Sequence, residues 1–310
     1  GVEDRVEIGE DVGVIVLDGL TKRFGSHVAV DAVTASVRPG RVTGLLGPDG
    51  SGRTTILRCV LGLTRPTSGT AVVLGRRYRQ LPRPPRQVGA LVGDGVGRPN
   101  RTAYQHLRSL AQANALPRRR VDEVIELVGL GSVAHERVRT LPYAGGRRLG
   151  LAVALLGDPD VLLLDEPFTG LGPGGVRLVR ELLRDFADEG RTVLVTGHPS
   201  SGLEETADHL VVLDRGRVLA DVAVDELLGA GAAIRVRTPR GPILAAALRE
   251  AGARVALEVD GALRVEGVDA EQVGDVAFTT DVPVHELTVV PLTLAEAYLA
   301  LADETGWTAE

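Results

Sequence analysis

Apolar positions along the chain change their spacing several times, and each change marks a predicted element. Val14-Ile15-Val16-Leu17 is a short β-branched run closed by Asp18-Gly19, the pattern of a strand and its turn. Val28 to Val37 alternates loosely and stops at Pro39-Gly40. Arg41-Val42-Thr43-Gly44-Leu45-Leu46 predicts the next strand. It runs into a glycine-rich stretch, after which Ile56, Leu57, Val60 and Leu61 recur at helical spacing. From Thr102 to about Gly157 the spacing is helical, with breaks at Leu116-Pro117 and at Gly129-Leu130-Gly131. Val161-Leu162-Leu163-Leu164 is apolar throughout and ends on Asp165-Glu166, as expected of a strand buried on both faces. A helix over about 175–189 and a second buried strand, Thr192-Val193-Leu194-Val195, follow. Strands alternating with helices predict a parallel α/β sheet.

Past Leu227-Leu228-Gly229 the texture changes. Strands are expected at 234–237 and 285–289, a hairpin over 254–258 and 262–265 about Asp260-Gly261, and helices at 242–250, 270–277 and 294–302. That order is close to βαββαβ plus one helix, a small α+β, ferredoxin-like domain. The expected organisation is an acidic, flexible lead over 1–12, a first domain over 13–228 and a second over 229–305, and 310 residues suit two domains of about 150 each.

Composition narrows the function classes. With 44% hydrophobic and 25% charged residues the chain is core-forming, not disordered. No apolar run approaches the ~18 residues that a spanning helix needs. The acidic opening predicts no secretory leader, and the absence of methionine predicts that the sequence starts after, or without, its initiator. A single cysteine, Cys59, leaves no internal disulfide or multi-cysteine metal site. A net charge of −6 and nine aromatics argue against a dedicated nucleic-acid surface. Residues 76–86 hold five arginines and three prolines. A solvated, proline-stiffened loop is the plainer account of them, and contact with acidic lipid headgroups the alternative.

The candidate chemistry starts at Gly47-Pro48-Asp49-Gly50-Ser51-Gly52-Arg53-Thr54-Thr55, between a strand and a helix. It matches G-x-x-x-x-G-K-[ST] with Arg53 in the lysine position. Such a loop turns backbone N–H groups at a helix start toward phosphate oxygens, and Thr54 is placed to ligate Mg²⁺. A planar guanidinium is broader than an ammonium and positions a terminal phosphate differently, while Asp49 adds a negative charge. Positioning dominates phosphoryl transfer, so the loop predicts nucleotide binding with slow hydrolysis. Asp165 and Glu166 end a buried strand, where open α/β sheets bind ligands. One carboxylate can hold a metal there while its neighbour polarises water.

On these residues the segment from Leu20 to about Ala220 resembles the nucleotide-binding subunit of ABC transporters of the drug-efflux type. Leu20-Thr21-Lys22-Arg23-Phe24-Gly25 resembles that family's aromatic loop, which implies Phe24 stacking on adenine. Val161 to Pro167 resembles a full Walker B motif, implying Asp165 near Mg²⁺ and Glu166 as the base that orients water. Thr196-Gly197-His198 is similar to the switch-histidine loop, implying that His198 senses the γ-phosphate. The C-terminal unit, ending Leu294-Ala295-Glu296-Ala297-Tyr298-Leu299, resembles the accessory domain of the same group. The resemblance implies a P-loop NTPase fold with a helical subdomain inserted at about 98–150. It also implies ATP and Mg²⁺ as cofactors, a membrane permease and a second nucleotide-binding domain as partners, and a cytoplasmic position at the inner face of the cell membrane.

Several positions depart from the family pattern. The signature LSGGQ aligns on Leu141-Pro142-Tyr143-Ala144-Gly145, losing its serine and both central glycines. Val88-Gly89-Ala90-Leu91-Val92-Gly93 ends in glycine where Gln or a carboxylate is usual, and Asp94 can substitute only if the loop shifts. Leu171-Gly172 stands where Leu-Asp is usual. The expectation is an ATP-binding subunit that powers export with slow or partner-dependent hydrolysis. The alternative is a degenerate subunit with a passive or regulatory role.

Overall fold

A computed structural model describes residues 13–93, 97–229 and 231–304; the acidic lead, Asp94 and Trp307 lie outside them. The chain forms two compact units, one running to Val222 and the other from Ala223.

The first unit opens with an antiparallel pair, β1 (Ile15–Phe24) and β2 (His27–Val37), followed by β3 (Arg41–Leu46), α1 (Arg53–Val60) and β4 (Ser68–Val73). β4 returns to pair with β1, giving a three-stranded sheet in the order β2-β1-β4. A short helix, α2 (Pro84–Gln87), precedes β5 (Val88–Leu91). The long helical tract resolves into α3 (Ala103–Ala113), α4 (Arg119–Leu127) and α5 (Tyr143–Leu155). β6 (Val161–Leu164), α6 (Pro173–Asp188), β7 (Thr192–Gly197), β8 (His209–Asp214) and β9 (Arg217–Ala223) follow. The main sheet has the order β5-β6-β7-β3-β8-β9, and its pairs from β5 to β8 are parallel.

Local sequence explains these elements. All four residues of β6 are fully buried, which is why its apolar run has no polar alternation. Each such Leu or Val contributes about 2 kcal/mol of burial free energy. Thr102 starts α3 with a capping box: its hydroxyl accepts from Gln105 N–H, and Gln105 Oε1 accepts from Thr102 N–H, both at 3.1 Å. α1 lies in the core shared by the two sheets, where Ile56 and Leu57 pack with Leu20, Leu45, Leu163 and Leu194.

Two expectations change here. Residues 76–86 are not wholly loop. Tyr78–Gln80 makes one 3₁₀ turn and α2 begins at Pro84, with Leu81 buried between them as an anchor. The domain seam falls at 222/223 rather than 228/229. α7 (Val224–Gly229) belongs to the second unit, because Leu292 N–H donates to Leu228 C=O at 3.1 Å.

The second unit continues with β10 (Ala233–Arg237), α8 (Gly241–Glu250), β11 (Arg254–Leu257), β12 (Leu263–Glu266), α9 (Ala270–Thr279), β13 (Glu286–Val290) and α10 (Leu294–Glu304). Its sheet order is β11-β12-β10-β13, all antiparallel, with the chain order of a split βαβ unit. One sheet face packs Ile234, Val236, Leu263 and Val265 against Leu244, Leu248 and Val273. On the other, Arg235 pairs with Glu258, Asp260 and Glu286, whose hydrogen bonds and charges raise its pKa further.

Candidate phosphate-binding site

Between the end of β3 and the start of α1 the chain makes the tight loop 47–52. Neighbouring turns hold it in place: Gly47 N–H donates to Gly197 C=O at 3.3 Å, and Gly216 N–H donates to Ser51 C=O at 3.1 Å. Gly52, which caps α1, has φ 100°, and a Cβ there would lie 2.4 Å from the Ala29 carbonyl oxygen. Only glycine serves at that point. Ser51 is buried, and its hydroxyl has no hydrogen-bond partner in the protein. A buried hydroxyl without a partner, beside the N–H groups at a helix start, suits the oxygens of an anion.

A cleft of about 310 Å³ opens above the loop. Asp49 to Thr55 line its floor, with Phe24, His27, Ala29 and Glu166 around it. Phe24 is half exposed, and Lys22 Nζ lies 4.8 Å from its ring centroid. His27 is a lining residue that the sequence pattern does not single out. Its signal is its place across the β1–β2 turn, paired with Phe24.

Arg53 is the cation of this cleft and is 6% exposed. Its guanidinium lies 3.2 Å from Asp49 and 3.1 Å from Glu166. The chain's own carboxylates therefore occupy the group expected to meet phosphate. The Arg53 pair engages one oxygen of Glu166, and the other accepts from Thr169 Oγ1 at 3.3 Å.

The residues expected to hold a metal meet directly. Thr54 Oγ1 donates to Asp165 at 2.9 and 3.1 Å from its two carboxylate oxygens. A hydroxyl and a carboxylate, both hard oxygen donors beside a phosphate cradle, suit Mg²⁺, which keeps few protein ligands. Behind them stands Thr196, which the sequence places at the head of the His198 loop without assigning it a contact with Asp165. It is fully buried at the end of β7, donates to Asp165 Oδ1 at 2.7 Å, and accepts from Glu166 N–H at 2.9 Å. Glu166 itself has φ +48°, a strained left-handed conformation for a residue with a side chain, so this hydrogen bond fixes a costly backbone turn. Thr196→Val is expected to weaken Mg-dependent nucleotide binding by about tenfold, as lost outer-shell partners do, with Mg-free binding little changed. Titration of a fluorescent nucleotide with and without Mg²⁺ checks this, and Thr196→Ser should restore the wild-type value.

His198 stands apart. It is exposed, its Nδ1 lies 3.0 Å from Ser200 Oγ, and it is not among the residues lining the cleft. Gly47 and Pro48 are likewise outside the lining, Gly47 buried against the Leu213 carbonyl. Two of the departures, the signature and Gly93, are linked through Arg147. Pro142 caps α5 without a side-chain hydrogen bond. Tyr143 lies against Gly170, where a Cβ would sit 2.1 Å from the ring. Arg147 stands over the Tyr143 ring at 5.6 Å and donates to Gly93 C=O at 3.3 Å.

Both units match known sequences. The family profile described as ABC transporter matches residues 30–169, and a profile described as a domain of unknown function matches residues 232–294. An uncharacterized ABC transporter ATP-binding protein of Bacillus subtilis, YdbJ, is 33% identical over 214 residues, covering 68% of this chain and 70% of the relative. The Nod factor export ATP-binding protein I of Cupriavidus metallidurans is 37% identical over 220 residues, covering 69% and 73%. The bacitracin transport ATP-binding protein BcrA of Bacillus licheniformis is 34% identical over 217 residues, covering 69% and 71%. A solved ATP-binding subunit of an ABC transporter shares the fold with a TM-score of 0.64 at 24% identity, over 70% of this chain and 92% of that one.

Proposed function

Because the chain belongs to the ATP-binding proteins of ABC transporters, we propose that it binds Mg-ATP at the loop 47–54 and drives export through a separate membrane permease, hydrolysing ATP slowly or only with a partner chain. The observation that carries the second clause is Arg53 held between Asp49 and Glu166. Backbone N–H groups at the head of α1 and Arg53 receive the phosphates, Phe24 takes the adenine face, and Thr54 and Asp165 hold the Mg²⁺. Once bound, that ion neutralises charge on the phosphate oxygens. Glu166, freed from Arg53, orients the attacking water, and His198 reaches the terminal phosphate only by leaving Ser200. No helix among the described residues is long and apolar enough to cross a membrane, so the permease is a separate partner in this reading. Export of the drug-efflux kind is the reading favoured by relatives named for bacitracin transport and Nod factor export.

In a head-to-tail dimer each nucleotide lies between one chain's phosphate loop and the other chain's signature. A homodimer pairs Arg53 with Leu141-Pro142-Tyr143-Ala144-Gly145 twice, whereas a heterodimer combines each with a partner's complement. A second reading, a passive or regulatory subunit, is favoured by Tyr143 seated on Gly170 of its own chain. Mg-ATP turnover by the purified chain, with Glu166→Gln as the control for contaminating activity, separates the two. Slow turnover that Glu166→Gln removes and a partner chain accelerates is the expected result. Turnover at an ordinary motor rate by the homodimer would overturn the impairment. Turnover equal to the control, with or without a partner, would leave the passive role.

A further inference from the structure

Charge along the chain is unevenly placed. Between Gly50 and Gly93 there are eight arginines and not one Asp or Glu, although the whole chain carries 41 acidic residues and a net charge of −6. Arg53 aside, these arginines lie away from the phosphate loop. Elsewhere arginines find carboxylates: Arg120, Arg180, Arg191, Arg217 and Arg235 each form ion pairs. Among the described residues Arg65, Arg76, Arg77, Arg79 and Arg83 form none, and the sequence around them supplies no acid with which to form one.

Three of the five share a cleft. It measures about 550 Å³ and lies between the α1–β4 connection and the turn at 77–80. Arg65, Arg77 and Arg79 line it together with Thr64, Thr67 and Ser68, and no lining residue is acidic. The nearest carboxylate in register is Asp18, paired with Thr70 on the β1 side of the wall. The cleft's edges are tied down: Lys22 Nζ donates to Arg65 C=O at 2.9 Å, Arg79 donates to Gly62 C=O at 2.9 Å, and Arg23 N–H donates to Thr67 Oγ1 at 3.0 Å.

Arginines without carboxylate partners, lining one concave surface together with hydroxyls, suit the charge and hydrogen-bonding needs of a phosphate ester. We propose that this cleft, distinct from the phosphate loop, binds a phosphate-bearing anion of the size of a single headgroup or small phosphate ester. The volume holds one such group, and the rim arginines Arg76 and Arg83 extend the positive surface beyond it.

The test uses the full chain and the triple variant Arg65→Gln/Arg77→Gln/Arg79→Gln, with nucleotide titration at the phosphate loop as the folding control. One arm measures glycerol 3-phosphate binding by calorimetry, and the other measures co-sedimentation with phosphatidylcholine vesicles with and without phosphatidylglycerol. Binding in at least one arm, weakened about a hundredfold by the triple variant, is expected. Binding confined to vesicles identifies a lipid headgroup, and binding in both arms identifies the phosphate itself. Equal binding by wild type and variant, or preferential binding of a duplex oligonucleotide, overturns the proposal. Should the variant fail to fold, Cys59 serves instead. It is the chain's one cysteine and lines the same cleft. Glycerol 3-phosphate or the anionic vesicles should slow its alkylation in the wild-type chain, and a rate unchanged by both counts against the site.

Discussion

Arg53→Ala is expected to raise the Kd for ATP by about a hundredfold. Charge-assisted hydrogen bonds contribute about 1.5–3 kcal/mol each, and a hundredfold corresponds to about 2.7 kcal/mol. The variant loses the cleft's buried cation and also leaves Asp49 and Glu166 facing the phosphates without a counter-charge, since both are its ion-pair partners. Arg53→Lys keeps the charge and should retain most of the binding. Equilibrium titration with a fluorescent ATP analogue measures both. An unchanged Kd in the alanine variant would mean that backbone N–H groups hold the phosphates alone, and that the arginine serves the empty chain rather than the nucleotide.

Gly52→Ala should remove nucleotide binding altogether and lower unfolding stability by about 3 kcal/mol or more. A left-handed conformation costs an alanine about 1–2 kcal/mol. The new Cβ must also find room 2.4 Å from the Ala29 carbonyl oxygen, a backbone atom that cannot rotate aside. Relief requires moving β2 or the head of α1, and either shift spoils the loop's curvature. Urea unfolding of both proteins gives the stability difference. A folded variant that still binds ATP would show that the loop has slack which the packing around Gly52 does not suggest.

What could be read from the sequence divides along a physical line. The phosphate loop, the buried strand ending in Asp165-Glu166 and the helical tract are local: a motif within nine residues, an apolar run, a repeated spacing. The βαββαβ order of the second unit was legible for the same reason, because each element carries its own period. β4, β8 and β9 carry weaker signals. β4 opens on Ser68-Gly69-Thr70, and β9 buries no residue fully. The partners of Arg53 were out of reach, since Asp49 is a neighbour but Glu166 arrives from another strand. The contacts of Thr196 were out of reach similarly: the residue reads as the head of the His198 loop until β7 is laid beside β6. α7 looked like the tail of the first domain because its packing partner lies more than sixty residues further on.

The contact of Tyr143 with Gly170, and of Arg147 with both Tyr143 and Gly93, ties the altered signature to the glycine-ended loop at 93, two departures far apart in the sequence. Their energetic contributions are coupled rather than additive, as expected of residues sharing one set of contacts. Residue 170 is confined to glycine by its φ of +74° and again by the ring that lies on it. Replacing Tyr143 alone leaves Arg147 without its ring and the ring's bed at Gly170 empty. Substitutions at 143, 147 and 170 are therefore expected to be epistatic, the effect of each depending on which side chains the other two positions carry.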